Sequence, residues 1–161
     1  MSQQSSAPAG VEARVPYVRA VDPLPLESAE HNKLHAFYTH LADGRLTTTR
    51  CRGCGRIDWP PRAFCPACTS DAFEWEELPR EGRIHGFTVQ ETGVPVGFAR
   101  PLVFAIVEIS GLRMFAPLTG VADPSRLTTG LRVRLSPIRV ADDPAGQPRH
   151  LPAFTPVGEA G

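Results

Sequence analysis

The sequence predicts a mainly β chain in which one helix precedes a small metal-binding module and a five-stranded Greek-key barrel. Three observations carry that prediction. Glycine (14) and proline (17) make up about a fifth of the 161 residues, well above ordinary usage. That composition disfavours a helical bundle and favours short strands joined by turns. The four cysteines form two C-x2-C units between Cys51 and Cys68. Beyond Gly82 the apolar residues fall in short runs, some continuous and some alternating with period two.

Residues 1–27 read as an irregular leader, because Pro8, Pro16, Pro23 and Pro25 interrupt any helix and no period is sustained. Residues 28–45 read as the N-terminal helix and its stop. Ser28 offers an N-cap, and Glu30 lies in the first turn where the helix dipole favours an anion. Leu34, Phe37, Tyr38 and Leu41 recur at i, i+3, i+4 and i+7, giving one apolar face. Gly44 supplies the left-handed position that ends the helix after Asp43. The apolar face either packs on the rest of the chain or meets a partner.

Residues 46–80 form the cysteine module. Thr47, Thr48 and Thr49 make 46–50 strand-prone. In 73–78, Phe73 and Trp75 alternate with Glu74 and Glu76, the pattern of a half-buried strand. Residues 81–157 form the barrel, with strands expected over 83–91, 102–109, 112–118, 131–140 and 151–157. Ser110-Gly111 is a tight-turn pair between the second and third. Asp123-Pro124 is a helix-start signal for a single turn before Gly130. Five strands with one helical turn after the third suit an OB-type barrel.

Each C-x2-C unit makes a tight turn that aims two thiolates at one point. Two such knuckles close a tetrahedral four-sulfur site from Cys51, Cys54, Cys65 and Cys68. A full set of four thiolates leaves no open coordination position, so the metal is expected to be structural. Zinc is the default, and iron is the rival because the ligand set is the same. Clustered cysteines also point to a reducing compartment, hence the cytoplasm. The longest apolar stretch, 101–107, is far short of the ~20 residues of a spanning helix. The first 30 residues lack the apolar core of a signal peptide.

No catalytic set is evident. There is no G-x-S-x-G elbow, phosphate loop or dinucleotide fingerprint. His31 and His35 lie at i, i+4, but Asn32 stands where a zinc protease has glutamate. His40, His85 and His150 are isolated.

Several segments together resemble one known family. They are Asp43-Gly44-Arg45-Leu46, Arg50-Cys51-Arg52-Gly53-Cys54-Gly55-Arg56, Trp59-Pro60-Pro61-Arg62, Phe64-Cys65-Pro66-Ala67-Cys68 and Phe73-Glu74-Trp75. Gly82-Arg83-Ile84 and the Asp123-Pro124 pair ahead of Gly130 extend the likeness. The family is the acyl-CoA-associated one that joins an N-terminal helix and rubredoxin-like zinc ribbon to a C-terminal OB-fold. The likeness spans about residues 34–155. One departure is Thr69, where the family usually has glycine after the fourth cysteine.

The resemblance implies a non-catalytic subunit of a thiolase or aldolase complex, similar to the small subunit of benzoylsuccinyl-CoA thiolase. It implies a thiolase-fold partner in a hetero-oligomer, and acyl-CoA as the ligand of the complex. The chemistry would be C–C bond cleavage or formation on a β-ketoacyl- or β-hydroxyacyl-CoA. Charge supplies candidate contacts. Lys plus Arg (17) cancels Asp plus Glu (17), yet arginines cluster. Arg45, Arg50, Arg52, Arg56 and Arg62 surround the cysteines, and Asp71, Glu74, Glu76, Glu77 and Glu81 follow. Arg126, Arg132, Arg134 and Arg139 then form a basic set with no acid close in sequence. These side chains either offset the acidic strand or pair with coenzyme A phosphates. Arg50, Arg62, Arg132 and Arg134, with Phe98 of the 94–101 connection, are the candidate CoA or partner contacts. Two other readings stay open: a nucleic-acid module, which zero net charge disfavours, and a rubredoxin-like iron electron carrier.

Overall fold

The computed structural model describes residues 29, 32–94, 98–140, 142, 146 and 148–158. Among the described residues the one α-helix, α1 (His35–Ala42), is shorter than the expected 28–43. Asn32 explains the late start. Its side-chain oxygen accepts the Leu34 N–H at 2.8 Å, and its carbonyl accepts the His35 N–H at 3.1 Å. This local turn competes with an earlier helical turn. The expected cap Ser28 and the first-turn Glu30 lie outside the described residues. The helix ends as expected: Gly44 has φ +70°, its N–H bonds to Leu41 O, and Arg45 N–H bonds back to His40 O. That pair of bonds is a Schellman stop.

Three strands make an antiparallel sheet in the order β2-β1-β3: β1 (Leu46–Cys51), β2 (Ile57–Asp58) and β3 (Phe73–Leu78). The threonines of β1 are buried, and each hydroxyl has a structural partner. Thr47 meets His40 Nδ1 at 3.0 Å, tying β1 to α1. Burial, with Arg45 nearby, holds that imidazole below its ordinary pKa. Thr48 donates to the Asp58 carbonyl of β2. Thr49 accepts the Arg62 N–H at 2.8 Å and donates to the Arg62 carbonyl at 3.2 Å, fixing the loop that leads to the second knuckle.

The barrel begins with β4 (Glu81–Gln90), β5 (Leu102–Ile109) and β6 (Leu112–Leu118), an antiparallel meander. Ser110 and Gly111, both at positive φ, make the β5–β6 turn as a type I′ pair. Asp123 caps the short 3-10 turn Pro124–Arg126 by accepting the Ser125 N–H at 2.9 Å. The expected strand over 131–140 is two strands, β7 (Arg132–Leu135) and β8 (Ile138–Val140). Pro137 has no N–H to continue the ladder, and the Ser136 N–H turns aside to Ala153 O at 2.7 Å. β8 pairs with β9 (Arg149–Leu151) as a separate two-stranded ribbon. The last strand, β10 (Phe154–Pro156), closes the barrel in the order β10-β6-β5-β4-β7.

One core joins the parts. Phe37 and Leu41 of α1, Leu46 and Leu78 of the small sheet, and Ile84, Val107, Val133 and Phe154 of the barrel are buried together. The apolar helix face is therefore spent inside the chain. The rings of Phe37 and Trp59 meet edge-on at 5.7 Å. Among the described residues no helix is long and apolar enough to cross a membrane.

Gly82 sits where the small sheet hands over to the barrel. A Cβ there would lie 2.4 Å from Ile109 Cγ1 and 2.6 Å from the Glu108 carbonyl. Gly82→Ala must push β4 away from β5. We expect a loss of about 1–3 kcal/mol in urea unfolding; an unchanged midpoint would contradict the close approach. Thr49→Val keeps the shape of the side chain but strips the Arg62 backbone of both partners. We expect a loss of about 1–3 kcal/mol for that variant as well, measured the same way.

Candidate metal centre

Two backbone turns with the same bonding build the site. In the first, Cys51 N–H bonds to Arg56 O at 2.8 Å and Gly55 N–H to Cys51 O at 2.8 Å. In the second, Cys65 N–H bonds to Ser70 O and Thr69 N–H to Cys65 O, both at 2.9 Å. The turns need a left-handed residue after the second cysteine of each pair. Gly55 fills it at φ +75° and Thr69 at φ +60°. The turn at Thr69 thus forms without glycine, though a β-branched side chain is strained there.

The amides inside each turn aim at sulfur. Those of Gly53 and Cys54 point at Cys51, and those of Ala67 and Cys68 at Cys65. The Arg56 and Ser70 amides serve Cys54 and Cys68. The four Sγ atoms lie within 4.8 Å of one another, with Cys51 and Cys65 buried and Cys54 and Cys68 exposed. The Cys51–Cys68 and Cys54–Cys65 separations are 3.5 and 3.6 Å. A zinc–sulfur bond of about 2.3 Å puts tetrahedral sulfurs about 3.8 Å apart, so the cluster has the size of a four-thiolate cation site.

Electrostatics agree with that size. Burial raises the Cys51 thiol, but the Cys54 amide, the Cys68 sulfur and the Gly53 amide outweigh it and bring it down to about 7. Cys65 is lowered too, chiefly by the Cys68 amide. The Arg56 and Ser70 amides favour thiolates at Cys54 and Cys68, yet neighbouring sulfurs win, raising Cys54 and pushing Cys68 up to about 12. Four thiolates at neutral pH thus require a cation between them. A tetrahedral cation held by all four has no vacant position for a substrate.

The candidate contact arginines are not gathered at one point. Arg50 donates to Glu76 and to the Gly55 carbonyl at 3.1 Å. Arg45 pairs with Glu77, Arg52 with Glu74 and Arg56 with Asp58. The acidic run after the ribbon thus faces its arginines across β1 and β3. Arg132 and Arg134, read from sequence as lacking a nearby acid, both converge on Glu81, at 2.5 and 2.7 Å. The correction has a topological cause: β4 and β7 are antiparallel, with Glu81 opposite Arg134. Both guanidiniums hold the Glu81 carboxyl below its ordinary pKa, Arg134 most strongly. For Arg139 the reading fails on the sequence itself, since Asp142, three residues on, pairs with it at 3.0 Å. Exposed pairs like these add little stability, because water screens them, so they orient side chains more than they stabilise the fold. Arg62 is exposed, with no ion pair among the described residues. Phe98 lines a cavity of about 270 Å³ with Pro101, Leu118, Val121 and Ile138.

Residues 39–74 match the family model described as ChsH2, rubredoxin-like zinc ribbon domain, and residues 75–136 match ChsH2, C-terminal OB-fold domain. The benzoylsuccinyl-CoA thiolase subunit BbsA of Geobacter metallireducens is 36% identical over 95 residues, 58% of this chain and 64% of that protein. The chain therefore spans just under two thirds of that relative. The subunit of the same name from Thauera aromatica is 32% identical over 102 residues, 61% of this chain and 70% of that protein. A chain of the solved Ltp2-ChsH2(DUF35) aldolase is similar at a TM-score of 0.64 and 28% identity, covering 78% of this chain and 95% of that one. With both halves matched in order, and the two knuckles and the closed barrel in place, this chain belongs to the ChsH2 zinc-ribbon and OB-fold family.

Proposed function

We propose that this chain is the zinc-binding, non-catalytic subunit of a thiolase-type acyl-CoA complex. The reading is carried by the closed cluster of Cys51, Cys54, Cys65 and Cys68, which spends every cysteine of the chain on a cation with no vacant position. Zinc held there supplies structure, and the nucleophile for a thioester has to come from another polypeptide. Relatives named as thiolase subunits, and a likeness to one chain of an aldolase, support the same division of labour. The substrate class is a β-ketoacyl- or β-hydroxyacyl-CoA, with C–C bond cleavage or formation in the partner.

The chain's own part is to support the partner's active site and the bound CoA ester. Arg62 and Phe98 would contact the ester or the partner, and Arg62, exposed and with no ion pair among the described residues, would give up none in doing so. Arg50, Arg132 and Arg134 would meet a phosphate by exchanging a carboxylate, which costs little at the surface. A cytoplasmic location goes with this role.

Purification of the full chain from its host should bring down a thiolase-fold polypeptide in stoichiometric amount, identified by mass spectrometry. The purified pair should cleave or form a β-ketoacyl- or β-hydroxyacyl-CoA, and the chain alone should not. Turnover by the isolated chain would overturn the reading. Elemental analysis should find one zinc per chain and no visible absorption band; sulfur-to-iron bands with a reversible redox couple would make it an electron carrier instead. Thr69→Gly removes left-handed strain worth about 1–2 kcal/mol, part of which the freer unfolded glycine offsets. The variant should release its metal to a chelator more slowly than wild type. Faster release would show that the threonine is not strained.

A further inference from the structure

We propose that the outer face of the barrel around Phe104, Ile106 and Phe115 is where the catalytic subunit docks. This rests on the functional reading above and assigns its interface. Phe115 is 65% exposed and Ile106 38%, although both lie in the middle of central barrel strands. They are cross-strand neighbours, and Phe104 stacks on Phe115 with centroids 5.0 Å apart and planes 12° from parallel. On β4, Gly86 pairs with Ile106, and nothing lies within 4 Å of where its Cβ would be. That glycine leaves Ile106 unshielded. The result is an apolar stripe on β5 and β6, left open on the β4 side by Gly86.

Charge defines the kind of partner. At one end of the stripe Glu108 is met by Arg113 at 3.6 Å and by His85 at 3.8 Å, so the local charges answer one another. An acidic or basic ligand gains little there. Nucleic acid fits poorly, because a strand needs a basic groove beside the rings and here the charge of Arg113 is offset by Glu108. The matching surface is an uncharged apolar one on a protein.

The edge of β6 adds a second means of recognition. Among the described residues its outer edge is paired only at Leu118, opposite Phe154. The two-residue turn makes Ile109 and Leu112 a hydrogen-bonded pair, so the backbone groups of Arg113 and Phe115 point to the open edge. Pro117 ends that stretch. An extended partner segment can therefore add a short ladder beside the ring of Phe115.

Area separates the occupants. The exposed side chains offer on the order of 300 Å² of apolar surface, the size of a patch with a purpose. A stable interface needs about 800 Å² per side. A second copy of this chain, apposed stripe to stripe, falls short. A larger catalytic subunit can use the stripe as the anchor of a wider contact.

The test uses the full chain and the thiolase-fold subunit that co-purifies with it, once identified and co-expressed. Binding is measured for wild type, for Ile106→Asn with Phe115→Ser, and for Phe64→Ser as a control aromatic, 59% exposed, between the knuckles. The double variant should bind about 30-fold or more weakly, with its metal content and circular dichroism unchanged. The control should stay within about threefold. Hydrogen exchange on the wild-type complex should slow at the Arg113 and Phe115 amides, which tests the same surface without any variant. A double variant that binds within about threefold, or amides that exchange as before, would overturn this assignment while leaving the functional reading intact. A wild-type homodimer broken by Phe115→Ser would assign the stripe to a second copy and overturn it too. Absence of any thiolase-fold subunit would sink the functional reading first.

Discussion

Four sulfur atoms within 4.8 Å of one another are the constraint on which the rest of the chain depends. The small sheet has little apolar core of its own. Three of the six residues of β1 are buried threonines, and Leu46 and Leu78 belong to the core shared with the barrel. A module of this size cannot hold itself together by burial alone. Structural zinc in comparable modules is worth roughly 10–16 kcal/mol of binding free energy. A cation held by the four thiolates would take the place of a core, and the threonine hydroxyls fix the strand to the helix and to the loop before the second knuckle.

The ribbon matters for what it positions. β1 and β3 place Leu46 opposite Leu78. Both reach the core that also takes Leu41 of α1 and Val133 of the barrel. Gly82 follows at once and lets β4 lie close on β5. The metal centre, the helix and the barrel therefore have a defined relation. The outer barrel face and the exposed Arg62 loop are held on one frame.

Much of this was legible in the sequence, for identifiable reasons. The sulfur cluster follows from spacing, because a C-x2-C unit has few ways to fold. The strands at 102–109 and 112–118 follow from a continuous apolar run and a Ser-Gly turn. The helix start was not legible from periodicity, since Asn32 captures the Leu34 amide before the apolar face begins. Pro137 carried the signal that divides 131–140, but the alternation of Leu131, Val133 and Leu135 outweighed it. Charge pairing was legible only where it is local, as in Arg56 with Asp58 and Arg139 with Asp142. Glu81 meets Arg132 and Arg134 only because antiparallel strands bring distant segments together.

Region-resolved hydrogen exchange before and after complete metal removal tests the central claim most directly. With the metal gone, amides of β1 and β3 and of both knuckles should lose protection while Val107 and Val133 in the barrel still exchange slowly. Ribbon amides that stay protected without metal would show that the four sulfurs do not hold this part of the fold together.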